Sequence, residues 1–343
     1  MIKIALHPGH ESMLRDEILT RGSAYDRKMG GLPVVESFAA LQKFLAGKGM
    51  ELHTYDVYKN RRGIDYWLML EPGRRKYLFM LQNLINPRRV LFLITEPAVT
   101  NHWAWEYMPF YLPLHKVFLA TFSDLAEKYP DKFVEFKVPV PFPKEKYPYY
   151  LHKPKKNLCL LMQSNKLSRV KGELYTLRRE IIRYFEKRGD RLLDLFGFGW
   201  NMEAPATNIF RIPGTTPFYT DLYQGVAPDK WETFAEYWFT FCVQNSIPAG
   251  DFEFDPFMAM ATGTVPIYLP PPNADQYIPP KAYINYNDFG SLDGLVAYLQ
   301  AIAGTEVYEN YRQAGWQFIN SERYRPFTVE KFCEDVYRAI QKL

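Results

Sequence analysis

The sequence has little cysteine, and its histidines do not show the spacing of a metal site. Its 343 residues include three cysteines, Cys159, Cys242 and Cys333, which are far apart, odd in number and set in largely apolar segments. We therefore expect buried free thiols rather than a disulfide framework. The six histidines contain no HxH or HExxH pattern, so the sequence predicts no metal site.

Long hydrophobic runs are also absent. No apolar run approaches the roughly 20 residues that a bilayer-spanning helix needs. The best candidate, residues 90–95 (VLFLIT), has the length of a strand. The N-terminal MIKIAL is too short for the hydrophobic region of a signal peptide and reads as a first strand. We therefore expect no transmembrane segment and a cytoplasmic protein, unless the chain has been trimmed of an anchor.

Charge of one sign is only slightly in excess, with a formal net charge of +4. Proteins that bind nucleic acid usually concentrate Lys and Arg on one face. Two basic clusters occur here, one formed by residues 61–62 and 74–76 and the other by residues 153–156. We interpret both as solvated surface charge and predict no nucleic-acid partner.

Aromatic residues, in contrast, are abundant, at 17% of the chain with 25 Tyr and 25 Phe. Flat, amphipathic rings stack on sugars and bases, so this bias suits an enzyme that acts on carbohydrate. The length suits two domains of ordinary size better than a single core.

Short apolar strands alternate with amphipathic helices in both halves of the chain, the pattern of parallel α/β lobes. Strands are predicted at residues 1–6, 51–55, 66–70, 90–94, 158–162, 192–196, 237–243 and 265–269. Helices are predicted at residues 37–48, 77–84, 175–187, 256–262, 291–302 and 328–342. Between the halves, residues 138–156 hold five prolines, which predict an irregular, stiff linker. The sequence thus predicts two Rossmann-like lobes facing a cleft, with ligands beyond the carboxyl ends of the strands.

The most informative segment is residues 239–269 (FTFCVQNSIPAGDFEFDPFMAMATGTVPIYL). A buried strand ends in Gln244, Asn245 and Ser246, passes through an acidic loop, enters a short helix and returns to a strand. Polar side chains and a helix N-terminus then meet at a strand end, where an anionic nucleotide can be held. An ordinary crossover whose polar residues cap the helix explains the same pattern equally well.

This segment resembles the donor-binding motif of the α1,3/4-fucosyltransferases, glycosyltransferase family 10. That motif typically reads Glu-Asn-Ser or Glu-Asn-Met, a short loop, Tyr-x-Thr-Glu-Lys, a helix and Gly-x-x-Pro-[IV]-Tyr. The resemblance covers most of residues 85–335. It includes the segments 89–97, 163–165, 194–200, 271–289, 292–299, 308–319 and 324–327, together with Arg178.

The resemblance implies an inverting glycosyltransferase of GT-B architecture that transfers fucose from GDP-fucose to a hydroxyl of an acceptor glycan. Residues 1–150 would form the acceptor lobe and residues 151–326 the nucleotide-sugar lobe. Residues 327–343 would form a helix that packs back towards the first lobe. Because positive groups can stabilise the leaving diphosphate, the reaction requires no metal in principle.

The resemblance also suggests Glu96 as the catalytic base, at the end of the apolar strand of residues 90–94. Burial there would favour the proton affinity that base catalysis needs. A cap on the turn before Pro97 explains Glu96 equally well without the resemblance. His102 and Glu106 are alternative bases. In the same segment, Trp103 and Trp105 either stack on acceptor sugar together with His102 or belong to the core.

The donor loop departs from the family pattern. Phe254 stands where the family has Glu, Asp255 where it has Lys, and Asp251 where it has Tyr. An Asp facing a diphosphate would repel it by several kcal/mol in a poorly hydrated site. Three explanations remain: a one-residue shift puts Glu253 on the ribose, the donor is another nucleotide sugar, or the chain is a catalytically weak glycan-binding protein.

From these departures we predict where the donor binds. The phosphates would contact Arg178 and the loop that carries Ser164, Asn165 and Arg169. Two further donor-binding residues, Asn245 and Glu253, would lie nearer the ribose. Asp255 would cap the helix that starts at Pro256.

Overall fold

The computed structural model describes residues 1–29, 32–203, 207–208 and 217–343. The chain divides into two compact units. Unit 1 comprises Met1–Pro141, Pro248–Phe252 and Arg325–Leu343, and unit 2 comprises Phe142–Ile247 and Glu253–Tyr324. The chain therefore first leaves unit 1 within the proline-rich stretch.

Unit 1 is built on a six-stranded parallel sheet with the strand order β2-β1-β3-β4-β5-β6. Its strands are β1 (Ile2–His7), β2 (Met50–Thr54), β3 (Tyr66–Leu70), β4 (Val90–Ile94), β5 (Phe118–Ala120) and β6 (Phe133–Glu135). Its helices are α1 (Ala24–Lys28), α2 (Val34–Ala46), α3 (Arg74–Gln82), α4 (His102–Glu106), α5 (Met108–Tyr111) and α6 (Ser123–Lys128).

The central strands of unit 1 follow from uninterrupted apolar runs. Every residue of β4 is buried, because a parallel strand covered on both faces has no solvated side. The sequence predicts the bounds of β3 and β4 correctly.

Unit 2 repeats the architecture with a five-stranded parallel sheet in the order β13-β12-β11-β7-β9. Its strands are β7 (Asn157–Met162), β8 (Lys166–Leu167), β9 (Leu193–Phe196), β10 (Thr207–Asn208), β11 (Tyr237–Cys242), β12 (Val265–Tyr268) and β13 (Ile284–Asn285). Its helices are α7 (Tyr147–Leu151), α8 (Tyr175–Arg188), α9 (Lys230–Ala235), α10 (Asp255–Thr262), α11 (Leu292–Ile302) and α12 (Glu306–Ile319). Strands β8 and β10 form a separate two-stranded parallel ladder. The α/β class predicted from the sequence is confirmed.

Two later segments of the chain belong to unit 1. The last helix, α13 (Val329–Ile340), packs there against α2, with the rings of Phe332 and Phe38 5.7 Å apart. The loop Pro248–Phe252, which the sequence analysis assigned to the second lobe, lies in unit 1 as well. There Lys137 Nζ donates a hydrogen bond to the Gly250 carbonyl at 2.7 Å. Gly250 has a φ of 85°, and a Cβ at this position would lie 2.2 Å from Ser123 Oγ, so only glycine fits.

The proline-rich stretch is more regular than the sequence predicts. Residues 147–151 form α7, and Tyr147 and Tyr150 are buried in unit 2. The Tyr147 ring stacks on Trp316 at 3.6 Å. The expectation of an irregular linker over all of residues 138–156 is therefore wrong, because the one proline within α7, Pro148, lies in its first turn, where proline is tolerated. Among the described residues, no helix has the length and apolar character that crossing a bilayer requires.

Candidate active site

Each sheet has one point at which the order of strand addition reverses. In unit 1 the chain places β2 on one side of β1 and β3 on the other. In unit 2 it places β9 on one side of β7 and β11 on the other. Open parallel sheets bind ligands beyond the carboxyl ends of the strands at such points. A ligand-binding site is therefore expected in the loops that follow β1, β3, β7 and β11.

In unit 1 the central residue is Glu71, which directly follows β3. Its Oε1 accepts hydrogen bonds from the amide and the hydroxyl of Thr95 at 2.6 and 2.8 Å, and from the amide of Glu96 at 3.1 Å. Its Oε2 accepts a hydrogen bond from Asn101 Nδ2 at 3.3 Å. Glu71 therefore fixes the loop that follows β4. The sequence analysis missed it, although it follows an apolar strand just as Glu96 does.

The groups around Glu71 have strongly shifted pKa values. Burial, followed by the nearby Glu96 charge, raises the pKa of Glu71 to about 7. Burial lowers the pKa of Lys76 to about 7, against the attraction of Glu71. Burial, and next the Lys76 charge, lowers the pKa of His7 to about 4. The half-buried Glu71 and the buried Lys76 thus both have pKa values near neutral at the strand reversal of unit 1.

Glu96 lies at the carboxyl end of β4, where the sequence analysis expects the base. Its backbone is held on both sides, since its amide bonds to Glu71 and its carbonyl accepts a hydrogen bond from Trp105 Nε1 at 3.0 Å. Its carboxylate oxygen Oε2 is buried. This setting fits a precisely oriented carboxylate, and its catalytic role stays a prediction.

The alternative bases and the predicted acceptor residues lie on α4. His102 Nε2 pairs with Glu106 Oε2 at 3.1 Å, and both side chains are about half exposed. The Trp105 ring meets Phe122 edge-on at 4.8 Å, and Trp103 stacks with Tyr107 at 5.1 Å. Both tryptophans are partly buried against the core of unit 1. Trp105 thus supports the Glu96 backbone, and contact of these residues with an acceptor stays a prediction.

In unit 2 the central residue is Arg178 on α8, whose side chain is fully buried. Its Nε and Nη2 donate hydrogen bonds to the Val243 carbonyl at 2.9 and 2.6 Å, and Nη2 also reaches Asn245 Oδ1 at 3.3 Å. Its Nη1 is buried and has no hydrogen-bond partner within the described part of the chain. Burial lowers the pKa of Arg178, while Glu253 opposes this effect. A guanidinium with one unused nitrogen thus lies beside the end of β11.

Two other predicted donor-binding residues contact this arginine or each other. Glu253 Oε1 accepts a hydrogen bond from the Asn245 amide at 3.1 Å. The Asn245 carbonyl accepts one from the Leu174 amide at 3.0 Å, which ties the loop to the start of α8. Arg178, Asn245 and Glu253 therefore form one cluster, and their contact with a donor stays a prediction.

The prediction that Asp255 caps α10 is wrong. Asp255 is the first helical residue, Phe254 before it already has helical angles (φ −70°, ψ −35°), and no side chain caps this end. The helix starts earlier than predicted because Pro256, which lacks an amide hydrogen, is tolerated throughout the first turn.

Instead of capping the helix, the Asp255 carboxylate accepts a hydrogen bond from Gln163 Nε2, at the end of β7. Burial raises the pKa of Asp255 to about 6, with Glu253 adding to the shift and Lys230 and Arg178 opposing it. An acid thus lies in the same cluster as Arg178.

The loop after β7 provides the remaining predicted residues. Asn165 is buried, donates from Nδ2 to the Gly199 carbonyl at 2.8 Å and accepts at Oδ1 from Arg179 Nη2 at 2.7 Å. Ser164 is half-buried and Arg169 is exposed. Asn165 therefore has a clear structural role, and donor contacts from all three residues stay predictions.

Unit 2 also contains a cavity of about 450 Å³ at the carboxyl ends of β12 and β13. Its polar and aromatic lining consists of Asp275, Tyr283, Asn285, Asp288, Phe289, Tyr298 and Tyr311. Because none of its lining residues is cationic, the cavity suits an uncharged sugar better than a diphosphate. Over the described ranges of the chain, no group of three or more His, Cys, Asp or Glu side chains is placed to hold a metal ion.

Comparison with known proteins connects the C-terminal part of the chain to one family. Residues 220–341 match the family model for the C-terminal domain of glycosyltransferase family 10 (fucosyltransferase). An α-(1,4)-fucosyltransferase of Arabidopsis thaliana is 26% identical over 112 residues, which cover 30% of this chain and 28% of that protein. The match thus spans less than a third of the relative. The resemblance to family 10 seen in the sequence is confirmed.

Solved structures support the fold along the whole chain. A crystal structure of an α1,3-fucosyltransferase with GDP has a TM-score of 0.52 at 13% identity, covering 99% of this chain and 90% of the other. An α-glucosyltransferase in complex with UDP and a 13-mer DNA has a TM-score of 0.56 at 11% identity, covering 99% and 100%. At such low sequence identities the similarity shows only the fold. It confirms the GT-B fold class predicted from the sequence.

Proposed function

We propose that the chain, whose residues 220–341 match the family model for the C-terminal domain of glycosyltransferase family 10, transfers a sugar from a nucleoside-diphosphate donor to a hydroxyl of an acceptor glycan. The observation that carries this proposal is the pair of buried polar clusters at the two strand reversals. One contains carboxyl groups suited to accepting a proton, and the other contains a buried guanidinium suited to an anion.

In the proposed reaction Glu96 removes the proton from the acceptor hydroxyl. The oxygen attacks the anomeric carbon as the bond to the diphosphate breaks, so the configuration at that carbon inverts. The proton remains on the carboxyl group and the electron pair leaves with the diphosphate. The two backbone hydrogen bonds of Glu96 support this role, because a base must be held within hydrogen-bonding reach of its proton.

Glu71 acts in this scheme as a positioning residue. It does not touch substrate, but its carboxylate holds Thr95, the Glu96 amide and Asn101, so it sets the conformation of the catalytic loop. Because its pKa is close to neutral, its charge changes in the working pH range. Lys76 is buried nearby and its pKa is also about 7, so its charge changes over the same pH range.

Unit 2 binds the donor. The unused Nη1 of Arg178 donates to the diphosphate, and the loop with Ser164, Asn165 and Arg169 adds further contacts. Asn245 and Glu253 lie nearer the ribose. As the diphosphate leaves, the fixed positive charge of the guanidinium stabilises it.

GDP-fucose is the first candidate donor, because the family that residues 220–341 match is the fucosyltransferase family. A second candidate is the same reaction with another nucleotide sugar. It is favoured by Asp255, a buried carboxyl group bound to Gln163, at the position where the family pattern has Lys.

Calorimetry with GDP, UDP and ADP, followed by transfer assays with the matching sugar nucleotides, tests the proposal. Tight binding of GDP and fucosylation of a glycan acceptor would support the first donor, and preference for another base would support the second. Binding of glycan without any nucleotide would contradict the proposal and indicate a carbohydrate-binding protein.

A further inference from the structure

The exposed face of α3 has an unusual composition. Its solvent-facing residues are Arg74, Arg75, Leu78, Leu81 and Gln82, whereas Lys76 and Met80 are buried. Surface helices usually expose polar residues and bury apolar ones. Here Leu78 is 48% and Leu81 72% exposed, and Leu84, just after the helix, is 86% exposed.

A second set of exposed apolar residues comes from the neighbouring α5 region. Tyr107 is 41%, Phe110 75% and Leu114 48% exposed. The two sets belong to adjoining elements, because the Tyr77 ring of α3 packs 5.6 Å from both Trp103 and Tyr111. We call Leu78, Leu81, Leu84, Tyr107, Phe110 and Leu114 the apolar face of unit 1.

Most charges close to this face are positive, and the exposed acid next to it, Glu106, is paired with His102. Residues 72–95 contain Arg74, Arg75, Lys76, Arg88 and Arg89 but no Asp or Glu. Residues 107–123 also lack acidic side chains. Four of these five cations are exposed, the exception being Lys76. Arg74 and Arg75 belong to a cluster interpreted from the sequence as solvated charge, but the structure places exposed leucines beside them.

We propose that the apolar face binds the surface of an anionic lipid bilayer. Its leucine and phenylalanine side chains enter the boundary between headgroups and acyl chains, and the arginines contact lipid phosphates. Apolar side chains that are exposed singly need no explanation, but a group of six beside four exposed arginines is the composition of an interfacial membrane site.

The charge pattern disfavours a second copy of the chain as the occupant of this face. A two-fold symmetric contact would bring this face against itself and leave arginines opposite arginines. An anionic bilayer instead places lipid phosphates opposite these arginines. The proposal is independent of the glycosyltransferase function, since membrane binding can be measured without donor or acceptor.

Co-sedimentation with phosphatidylcholine vesicles, with and without phosphatidylglycerol, tests the proposal. We expect the protein to bind the anionic vesicles and to dissociate as salt is added. The double variant Leu81→Gln with Leu84→Gln should lower the partition coefficient by about tenfold. The pair Arg74→Gln and Arg75→Gln should lower it by roughly 20-fold on anionic vesicles only.

Val307→Gln on α12 is the matched control, because Val307 is 45% exposed and lies in unit 2. It should bind vesicles like the unaltered protein, and all variants should keep their melting temperature because the altered side chains are exposed. The proposal would be overturned if the unaltered protein did not bind anionic vesicles. It would also be overturned if Val307→Gln lost as much vesicle binding as the leucine and arginine variants. Self-association that the leucine variants abolish would also overturn it and assign the face to a contact between copies.

Discussion

The two strand-reversal clusters hold different kinds of buried charge, although their topology is the same. In unit 1, Glu71 and Lys76 both have pKa values of about 7, so this cluster can take up and release protons at neutral pH. In unit 2, Arg178 stays protonated even though burial lowers its pKa. The fold thus decides where polar groups collect, and in the proposed reaction the residue types suit one cluster to proton transfer and the other to anion binding.

The largest effect should come from the proposed base in unit 1. Glu96→Gln keeps the shape of the side chain and removes its basicity, so kcat should fall by roughly 10²–10⁴-fold with little change in donor affinity. Steady-state kinetics and calorimetry measure the two quantities. Glu106→Gln is the control, since Glu106 is exposed, and it should retain most of the activity. If kcat of Glu96→Gln fell by less than about tenfold, the catalytic base would instead be Glu106 or His102.

The next largest effect should come from the guanidinium of unit 2. Arg178→Ala should weaken binding of a nucleoside diphosphate by about 10- to 100-fold and binding of the nucleoside far less, because only the diphosphate carries the charge. Calorimetry with both ligands measures the difference.

Two further variants of α8 sharpen this test. Arg178→Lys keeps the charge without the planar fork and should bind with intermediate strength. Arg183→Ala removes a half-exposed arginine of the same helix and should leave both affinities unchanged. Equal weakening of nucleotide and nucleoside by Arg178→Ala would show that Arg178 only supports the Val243 carbonyl.

A smaller effect on kcat should follow from Glu71→Gln, which disturbs the loop of Glu96 without removing the base. We expect a loss of about tenfold in kcat and little change in KM. The pH–rate profile should also lose its change near pH 7, because Gln cannot take up or release the proton that Glu71 exchanges there. A uniform loss of activity at every pH would contradict the positioning role.

The same variant also has a predictable effect on stability. Because the folded protein binds the Glu71 proton more tightly than the unfolded chain, the free energy of unfolding should fall as pH rises from 4.5 to about 7. The fall amounts to about 3 kcal/mol for this group alone. Glu71→Gln should flatten this part of the pH dependence, which urea unfolding at several pH values measures.

The smallest effect should come from the acid in the unit 2 cluster. Asp255 loses its proton at about pH 6, so the unaltered protein should bind an anionic donor more tightly below pH 6 than above it. Asp255→Asn should improve binding about fivefold at pH 7 and have no effect at pH 5. Asp293→Asn, at an exposed position, is the control. Weaker donor binding in Asp255→Asn would mean that Asp255 accepts a hydrogen bond from the ligand.

The strands were easier to predict than the helices, and the reason is burial. Residues 66–70 and 90–94 are continuous apolar runs, and the structure ends β3 and β4 at these residues. Helix α3 begins at Arg74, three residues before its predicted start, because its first turn exposes two arginines and has no apolar signal. The three-residue strand β5 was missed because it is too short to show periodicity.

The candidate site was only partly predictable. Arg178, Asn245 and Glu253 were proposed from the family resemblance, with Asn245 also at a strand end, and the structure joins Asn245 to the other two residues by hydrogen bonds. Glu71 was missed although it has the same local signal as Glu96, since nothing within residues 66–71 shows that its carboxylate reaches Thr95. The hydrogen bond from Gln163 to Asp255 joins residues far apart in sequence, so neither the segment around Gln163 nor the one around Asp255 predicts it.

The sequence by itself determined the two α/β units, the central strands, the position of Glu96 at a strand end and that of Arg178 on a helix, because these follow from local runs and periodicity. Only the tertiary structure decided that Pro248–Phe252 belongs to unit 1 and that Glu71 holds the Glu96 loop. It also decided that leucines lie exposed among arginines on α3. These features depend on the order of the strands in each sheet and on which face of a helix packs against the core. Both depend on contacts between distant parts of the chain, so no short segment of the sequence predicts them.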